Sequence, residues 1–274
     1  MKCVNLCDLL DKVDFHNNNV EKLLQFPNLV DAKRLYIGSY FCSQYFLRMD
    51  FIAEIKQFLN EHSYSLTLVI PIFSEKDSAF SKEKIKQICD ELPIDEVTVN
   101  DIGMLIAIHS SYDLKVNLGR LFFKDARDIR LPSYYQHTIH PAFLDTLNKY
   151  NTRFTLDYAE IDPISATLDV HNNTDVKLAL HEPFCYLTTG NICKFASISQ
   201  DIAKKFRPNA SCNKECQRVY EIYFPNSNDY TLYRIGRAVY FETERPCTIN
   251  GSIERFIYSP FREMADCRKE GASN

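Results

Sequence analysis

SLTLVIPIFSEKDSAFSKEKIKQICDELPIDEVTVND, residues 65–101, places two apolar runs on either side of a polar segment of helical period. The outer runs, SLTLVIPIF (65–73) and EVTVND (96–101), carry the Leu, Val, Ile and Thr content of strands. Between them SKEKIKQICDEL (81–92) predicts a helix that starts at Ser81, with charges spread over Glu83–Glu91. Strand, helix and strand in this order make a βα unit, and such units build parallel sheets.

The alternation continues in both directions. RLYIG (34–38) precedes an amphipathic stretch, RMDFIAEIKQFLN (48–60). IGMLIAIHSS (102–111) leads to LKVNLG (114–119), HPAFLDTLNKY (140–150) to FTLDYA (154–159), and DVKLALHE (175–182) follows. With RVYEIYF (218–224) and the apolar, aromatic run from Gly236 to Glu242, the candidate strands number about eight, as a (β/α)8 barrel requires. The expected fold is α/β, a TIM-barrel-like single domain over residues 1–274 with a β-rich C-terminal part. The exception is 183–217, which lacks a long strand pattern. Connections of that length in compact domains are usually functional.

Composition excludes several classes. A hydrophobic fraction of 45% with 25% charged residues is that of a globular domain. The net charge of −4 supplies no global basic field, so nucleic-acid binding is not indicated. MKCVNL at the N-terminus has no apolar h-region, and no apolar run reaches the ~18 residues of a membrane span. The expectation is a cytoplasmic protein whose ten cysteines stay reduced.

Cys3, Cys7, Cys89, Cys247 and Cys267 are scattered and read as small buried hydrophobes. The other five follow strands. Cys42 lies just past 34–38, Cys185 and Cys193 lie past 175–182, and Cys212 and Cys216 come later in the same connection. In a parallel barrel these positions belong to the carboxyl face, where active sites are built. Asp101 and Arg120 end their own strands on that face.

Structural zinc favours paired Cys-x2–4-Cys knuckles. Here SCNKECQ (211–217) supplies a single Cys-x3-Cys pair, and its partners are distant single residues. An iron–sulfur cluster accepts ligands so dispersed. The three clustered cysteines of a radical SAM enzyme are absent, since Val219 stands where the third belongs. Spacing alone leaves zinc, a cluster and chance burial all open.

Four stretches, RLYIGSYFCSQYF (34–46), VTVNDIGML (97–105), VNLGRLFFKDARDIR (116–130) and CKFASISQDIAKKFRPNASCNKEC (193–216), together resemble the collagenase-like peptidase family U-32. Within it the likeness is to the small members that serve oxygen-independent ubiquinone hydroxylation alongside a homologous partner chain. The resemblance covers residues 34–224. It implies a [4Fe–4S] cluster on Cys42, Cys193, Cys212 and Cys216, with Cys185 as a spare, and a partner of the same family. The interval between Cys193 and Cys212 is longer than the family's. Despite the family name, no His-Glu-x-x-His helix or Gly-x-Ser-x-Gly elbow occurs, so hydrolysis is not expected. The expected activity is a hydroxylase, or a subunit of one, acting on a small molecule. The rival readings are a cluster-bearing scaffold or electron-transfer subunit and a zinc-stabilised binding module.

Three further residues are candidates for catalysis. Asp101 faces the expected pocket or caps the helix at 102–110. Arg120 at a strand end suits a bidentate carboxylate clamp. His181 precedes the cysteine-bearing connection and suits a hydrogen bond to a thiolate. Asn100 has the same two readings as Asp101. Lys124, Asp125, Arg127, Asp128 and Arg130 form a paired charged surface, and His109, His137 and His140 read as structural histidines.

Overall fold

The computed structural model describes residues 1–10, 19–27, 29–122, 141–162, 168–169, 174–198, 200–208, 212–218, 221–223, 232–242, 249–250, 253–261 and 263. Eight parallel strands close into a barrel: β1 (Lys2–Asn5), β2 (Arg34–Gly38), β3 (Ser65–Ile70), β4 (Ile94–Val99), β5 (Lys115–Leu118), β6 (Tyr158–Ile161), β8 (Lys177–Glu182) and β14 (Arg255–Tyr258). They neighbour one another in that order, and β1 closes the ring against β14, with Cys3 opposite Ile257. The strands are buried nearly end to end, as expected where both faces of a parallel sheet are covered.

The helices cover the outside. α1 (Asn19–Leu24) and α2 (Ser43–Leu47) are short, and α3 (Ile52–Glu61) turns Ile52, Ile55 and Phe58 inward at helical spacing. α4 (Ser78–Glu91) does the same with Ile85 and Ile88. It begins three residues before the expected Ser81, whose hydroxyl donates to the Ser78 carbonyl at 2.8 Å inside the first turn. α5 (Ile102–Ser111) and α6 (Pro141–Phe154) complete the outer layer described.

Two of the expected barrel strands belong elsewhere. The stretches at 218–224 and 236–242 hold β10 (Glu221–Tyr223) and β12 (Ala238–Glu242). These join β11 (Leu232–Ile235) and β9 (Phe184–Thr189) in an antiparallel sheet ordered β10-β11-β12-β9. Gly236 at φ +54° makes the tight turn between β11 and β12, and so commits them to a hairpin that a parallel barrel has no place for. The barrel takes β1 and β14 instead. β9 also puts a strand into 183–217, a stretch expected to lack one. A two-residue pair, β7 (Leu168–Asp169) with β13 (Ile249–Asn250), completes the described strands.

The barrel interior is polar. Parallel barrels are ordinarily filled with layers of branched apolar side chains. Here Glu96 of β4 accepts from Thr67 Oγ1 at 2.7 Å and Asn117 Nδ2 at 3.0 Å, and pairs with Arg255 of β14. Because β4 and β14 are not neighbours, the Glu96–Arg255 pairing crosses the barrel interior. Arg255 also donates to the Tyr36 hydroxyl at 2.8 Å and lies 3.7 Å over the Tyr158 ring.

Candidate functional site

Nearer the carboxyl ends of the strands lies a second polar layer. Glu160, the third residue of β6, accepts from Thr98 Oγ1 at 2.6 Å on one oxygen and from the Tyr40 hydroxyl at 2.8 Å on the other. His181 Nε2 lies 3.0 Å from that second oxygen. Glu160 and His181 are 1% and 0% exposed, and removing a carboxylate from water is costly. Burial accordingly pushes the Glu160 carboxyl up to about 7, against the opposing pull of the Thr98 and Tyr40 hydrogen bonds and the Arg120 and Arg255 charges. Burial, aided by the Arg120 charge, holds His181 well below the ordinary imidazole range.

Arg120, two residues beyond β5, is wholly buried. Its Nη2 pairs with Asp162 and donates to the Phe184 carbonyl at 2.8 Å. The guanidinium carbon lies 5.6 Å from the rings of Tyr40, Tyr186 and Tyr240, within cation–π range of each. The expected bidentate clamp is thus partly committed already, since Asp162 takes one nitrogen. Among the described residues Nη1 finds no hydrogen-bond partner.

Asp101 caps α5, accepting from Met104 N at 2.9 Å. Asn100 donates to the Ile70 carbonyl at 3.0 Å, and its Oδ1 sits where a Cβ on Gly119 would stand only 2.4 Å away. Both are therefore builders of the strand-end loops. His181 faces Glu160 in place of the expected thiol. His109 packs edge-on against Phe154. Residues 124–130, His137, His140, Cys247 and Cys267 lie outside the described residues.

Cys42 lies in the main core, and the other three predicted ligands share a separate buried cluster. Cys42 caps α2, its Sγ accepting from Tyr45 N at 3.4 Å, while its own N–H donates to Ser39 Oγ at 2.8 Å. Ser39 is anchored in turn by Asp8 at 2.5 Å. Burial pushes the Cys42 thiol up to about 12, with Asp8 and Cys216 adding to the rise against Arg237. Cys193, Cys212 and Cys216 form one buried cluster with Phe195 and Ala196. Burial also raises the Cys212 thiol, with Cys193 among the neighbours that contribute, although Lys214 N donates to its sulfur at 3.2 Å. α7 (Lys194–Ile198) packs on the 3-10 turn Glu215–Arg218 that carries Cys216. Lys214, between the last two cysteines, reaches Asp50 at 3.1 Å and lies 5.6 Å over Phe51, close in sequence to Cys42. None of these four cysteines is in a disulfide. Cys185 stands apart on β9, opposite Phe241 of β12.

Sequence reasoning missed Glu96, Glu160, Asp162, Tyr40 and Arg255. A signal was present for two of them. Glu96 in IDEVTV and Glu160 in YAEI are charges inside strands otherwise fit for burial on both faces, and buried charges need partners.

No family model, curated protein or solved structure matches the chain. The fold and site define a closed parallel α/β barrel with a polar axis. Among the described residues no helix is long and apolar enough to cross a membrane.

Proposed function

We propose that this barrel carries a [4Fe–4S] cluster on Cys42, Cys193, Cys212 and Cys216, and acts in oxygen-independent hydroxylation of a small molecule together with a homologous partner, as its resemblance to family U-32, and to UbiV within it, implies. The observation that carries the reading is the burial of Cys193, Cys212 and Cys216 in one small cluster apart from the main core. Cys42 follows β2 in the main core, and Cys216 is among the groups that raise its thiol.

The donor set suits the group. Cubane ligation takes four thiolates and tunes them by hydrogen bonds to sulfur. Here Cys42 and Cys212 each accept a backbone N–H. The cysteine-bearing connection would cover the carboxyl end of the barrel, and Cys185 would remain unligated. Bound there, the cluster supplies one-electron chemistry. The chain's own contribution is to keep the site dry and to hold its parts in place. Asp8 and Ser39 fix the Cys42 loop, Lys214 ties the last pair to Asp50, and Arg120 positions an acidic group of the substrate.

The test is purification without oxygen, followed by the visible spectrum and iron and sulfide analysis. About four irons and four sulfides per chain are expected, and Cys212→Ser is expected to lose them. A colourless, iron-free protein that resists reconstitution overturns the reading, and zinc in place of iron substitutes a structural binding module.

A further inference from the structure

The carboxyl-end polar layer contains buried groups that no described residue satisfies. A bare Nε is shared by Arg34, Arg120 and Arg255 and distinguishes none of them. Arg120 Nη1 and His181 Nδ1 are different. Each belongs to a side chain that is 0% exposed, and neither has a hydrogen-bond partner among the described residues. An unmet buried donor or acceptor is a standing cost, and such groups point to a ligand or to function.

The geometry points to His181 as a general base, and to Arg120 as the cation that receives the resulting oxyanion, for a small molecule bearing an ionisable O–H group. The arrangement follows the logic by which a carboxylate orients a catalytic histidine. Glu160 holds Nε2 at 3.0 Å and is itself fixed by Thr98 and Tyr40. Tyr40 also sets its ring edge-on against the imidazole, with centroids 5.2 Å apart. With Glu160 ionised, Nε2–H points at it, and the lone pair of Nδ1 is left to accept a proton. Burial and the Arg120 charge keep the ring neutral, and so competent as a base.

In the step assigned, the substrate O–H bond breaks and its proton forms an N–H bond at Nδ1. The electron pair stays on oxygen, the new oxyanion is met by Arg120 Nη1–H, and the imidazolium is stabilised by Glu160 through Nε2–H. No electron changes hands and no co-reactant is needed. The ionisable and charged groups facing the pair are Cys7 beyond β1, Tyr36 and Tyr40 from β2 and its end, Arg120, Asp162 and Arg255. His181 would be catalytic in this step, and Glu160 a positioning residue. The inference needs no cluster, because every group in it belongs to the barrel strands and their ends.

Two measurements on the full chain, purified in air without iron, test it. Nitrogen-15 NMR of histidine-labelled protein at about pH 8.5, where Glu160 is ionised, is expected to show His181 as the neutral Nε2–H tautomer, and Glu160→Gln is expected to disturb that signature. An imidazolium or an Nδ1–H tautomer overturns the assignment without any variant having to fold. Calorimetric titration with acetohydroxamate, a probe with an ionisable O–H, is expected to give a heat independent of buffer, because its proton stays on His181. His181→Gln and Arg120→Met are each expected to weaken it about tenfold or more. No binding to the wild-type chain, or equal binding by folded variants, overturns the proposal. Either outcome leaves the iron content, and so the cluster reading, to be judged separately.

Discussion

His181 Nε2 and Glu160 Oε2 face each other at 3.0 Å near the axis of the barrel, on strands β8 and β6 that are neighbours in the ring. Burial raises the carboxyl to about 7 and depresses the imidazole, so the pair gives up its titratable proton near neutral pH and is a carboxylate beside a neutral imidazole above that. These opposite shifts give the pair a distinctive pH signature.

In the unfolded chain Glu160 titrates near 4.5 and His181 near 6.5, so between those values the pair also binds one proton. Folded and unfolded states then match, and the pair adds no slope to stability over that window. Glu160→Gln leaves only the depressed His181. The unfolded state then binds the extra proton, and stability relative to wild type is expected to rise with pH up to about 6.5. His181→Gln leaves only the raised Glu160. The folded state then binds the extra proton, and relative stability is expected to fall as pH climbs from about 4.5 towards 7. Slopes of opposite sign, on the order of 1 kcal/mol per pH unit, should appear in urea unfolding followed across that range. Parallel slopes in the two variants would show that burial does not shift the two groups in opposite directions.

Arg120 and Asp162 form an ion pair with both side chains fully buried. Removing one partner of such a pair strands the other charge, at a cost of about 3–5 kcal/mol. Asp162→Leu is expected to show that loss. Arg120→Met/Asp162→Leu together should recover a large part of it, since two apolar groups replace the pair. A double-mutant cycle from denaturant midpoints measures the coupling, and additive losses would deny it.

Gly38 ends β2 at φ +106°, and a Cβ there would stand 2.2 Å from the Val69 carbonyl oxygen on β3. Neither the dihedral nor the space admits a side chain. Gly38→Ala is expected to cost about 3 kcal/mol or more in chemical denaturation, the dihedral alone accounting for about 1–3 kcal/mol. The loop it launches carries Ser39 and Cys42, so if the proposed cluster is bound there the variant's iron content should fall along with its stability.

Burial raises the Cys42 thiol from an ordinary 9.0 to about 12. A rise of that size leaves about a thousandfold less thiolate at neutral pH, and the thiolate is the form that alkylates. Iron-free protein treated with iodoacetamide is expected to label Cys42 far more slowly than the same protein in urea, as read by peptide mass spectrometry. Equal rates would place Cys42 in solvent.

Much of the barrel could be read in the chain because parallel strands buried on both faces carry runs rich in Leu, Val, Ile and Thr, as in 65–70. The hairpin at 232–242 misled for the same reason. Its apolar content matches a barrel strand's, and only the turn at Gly236 betrays the antiparallel return. β1 and β14 escaped notice because four residues are too few to establish a period. The cysteines stood out because their spacing from strand ends is visible in one dimension. The Glu160–His181 pair did not, because a lone charge inside a strand reveals neither its partner nor its direction until the ring has closed.

That closure has a consequence for how the protein is made. β1 hydrogen-bonds to β2 on one side and to β14 on the other, and about 250 residues separate β1 from β14 along the chain. At a ribosomal pace of about 5–20 residues per second, the outer edge of β1 waits roughly 12–50 s for its second neighbour. Throughout that wait a row of unpaired backbone groups stands open to other nascent chains. The vulnerable interval in the life of this molecule therefore falls during translation, when an edge-shielding chaperone has most to contribute.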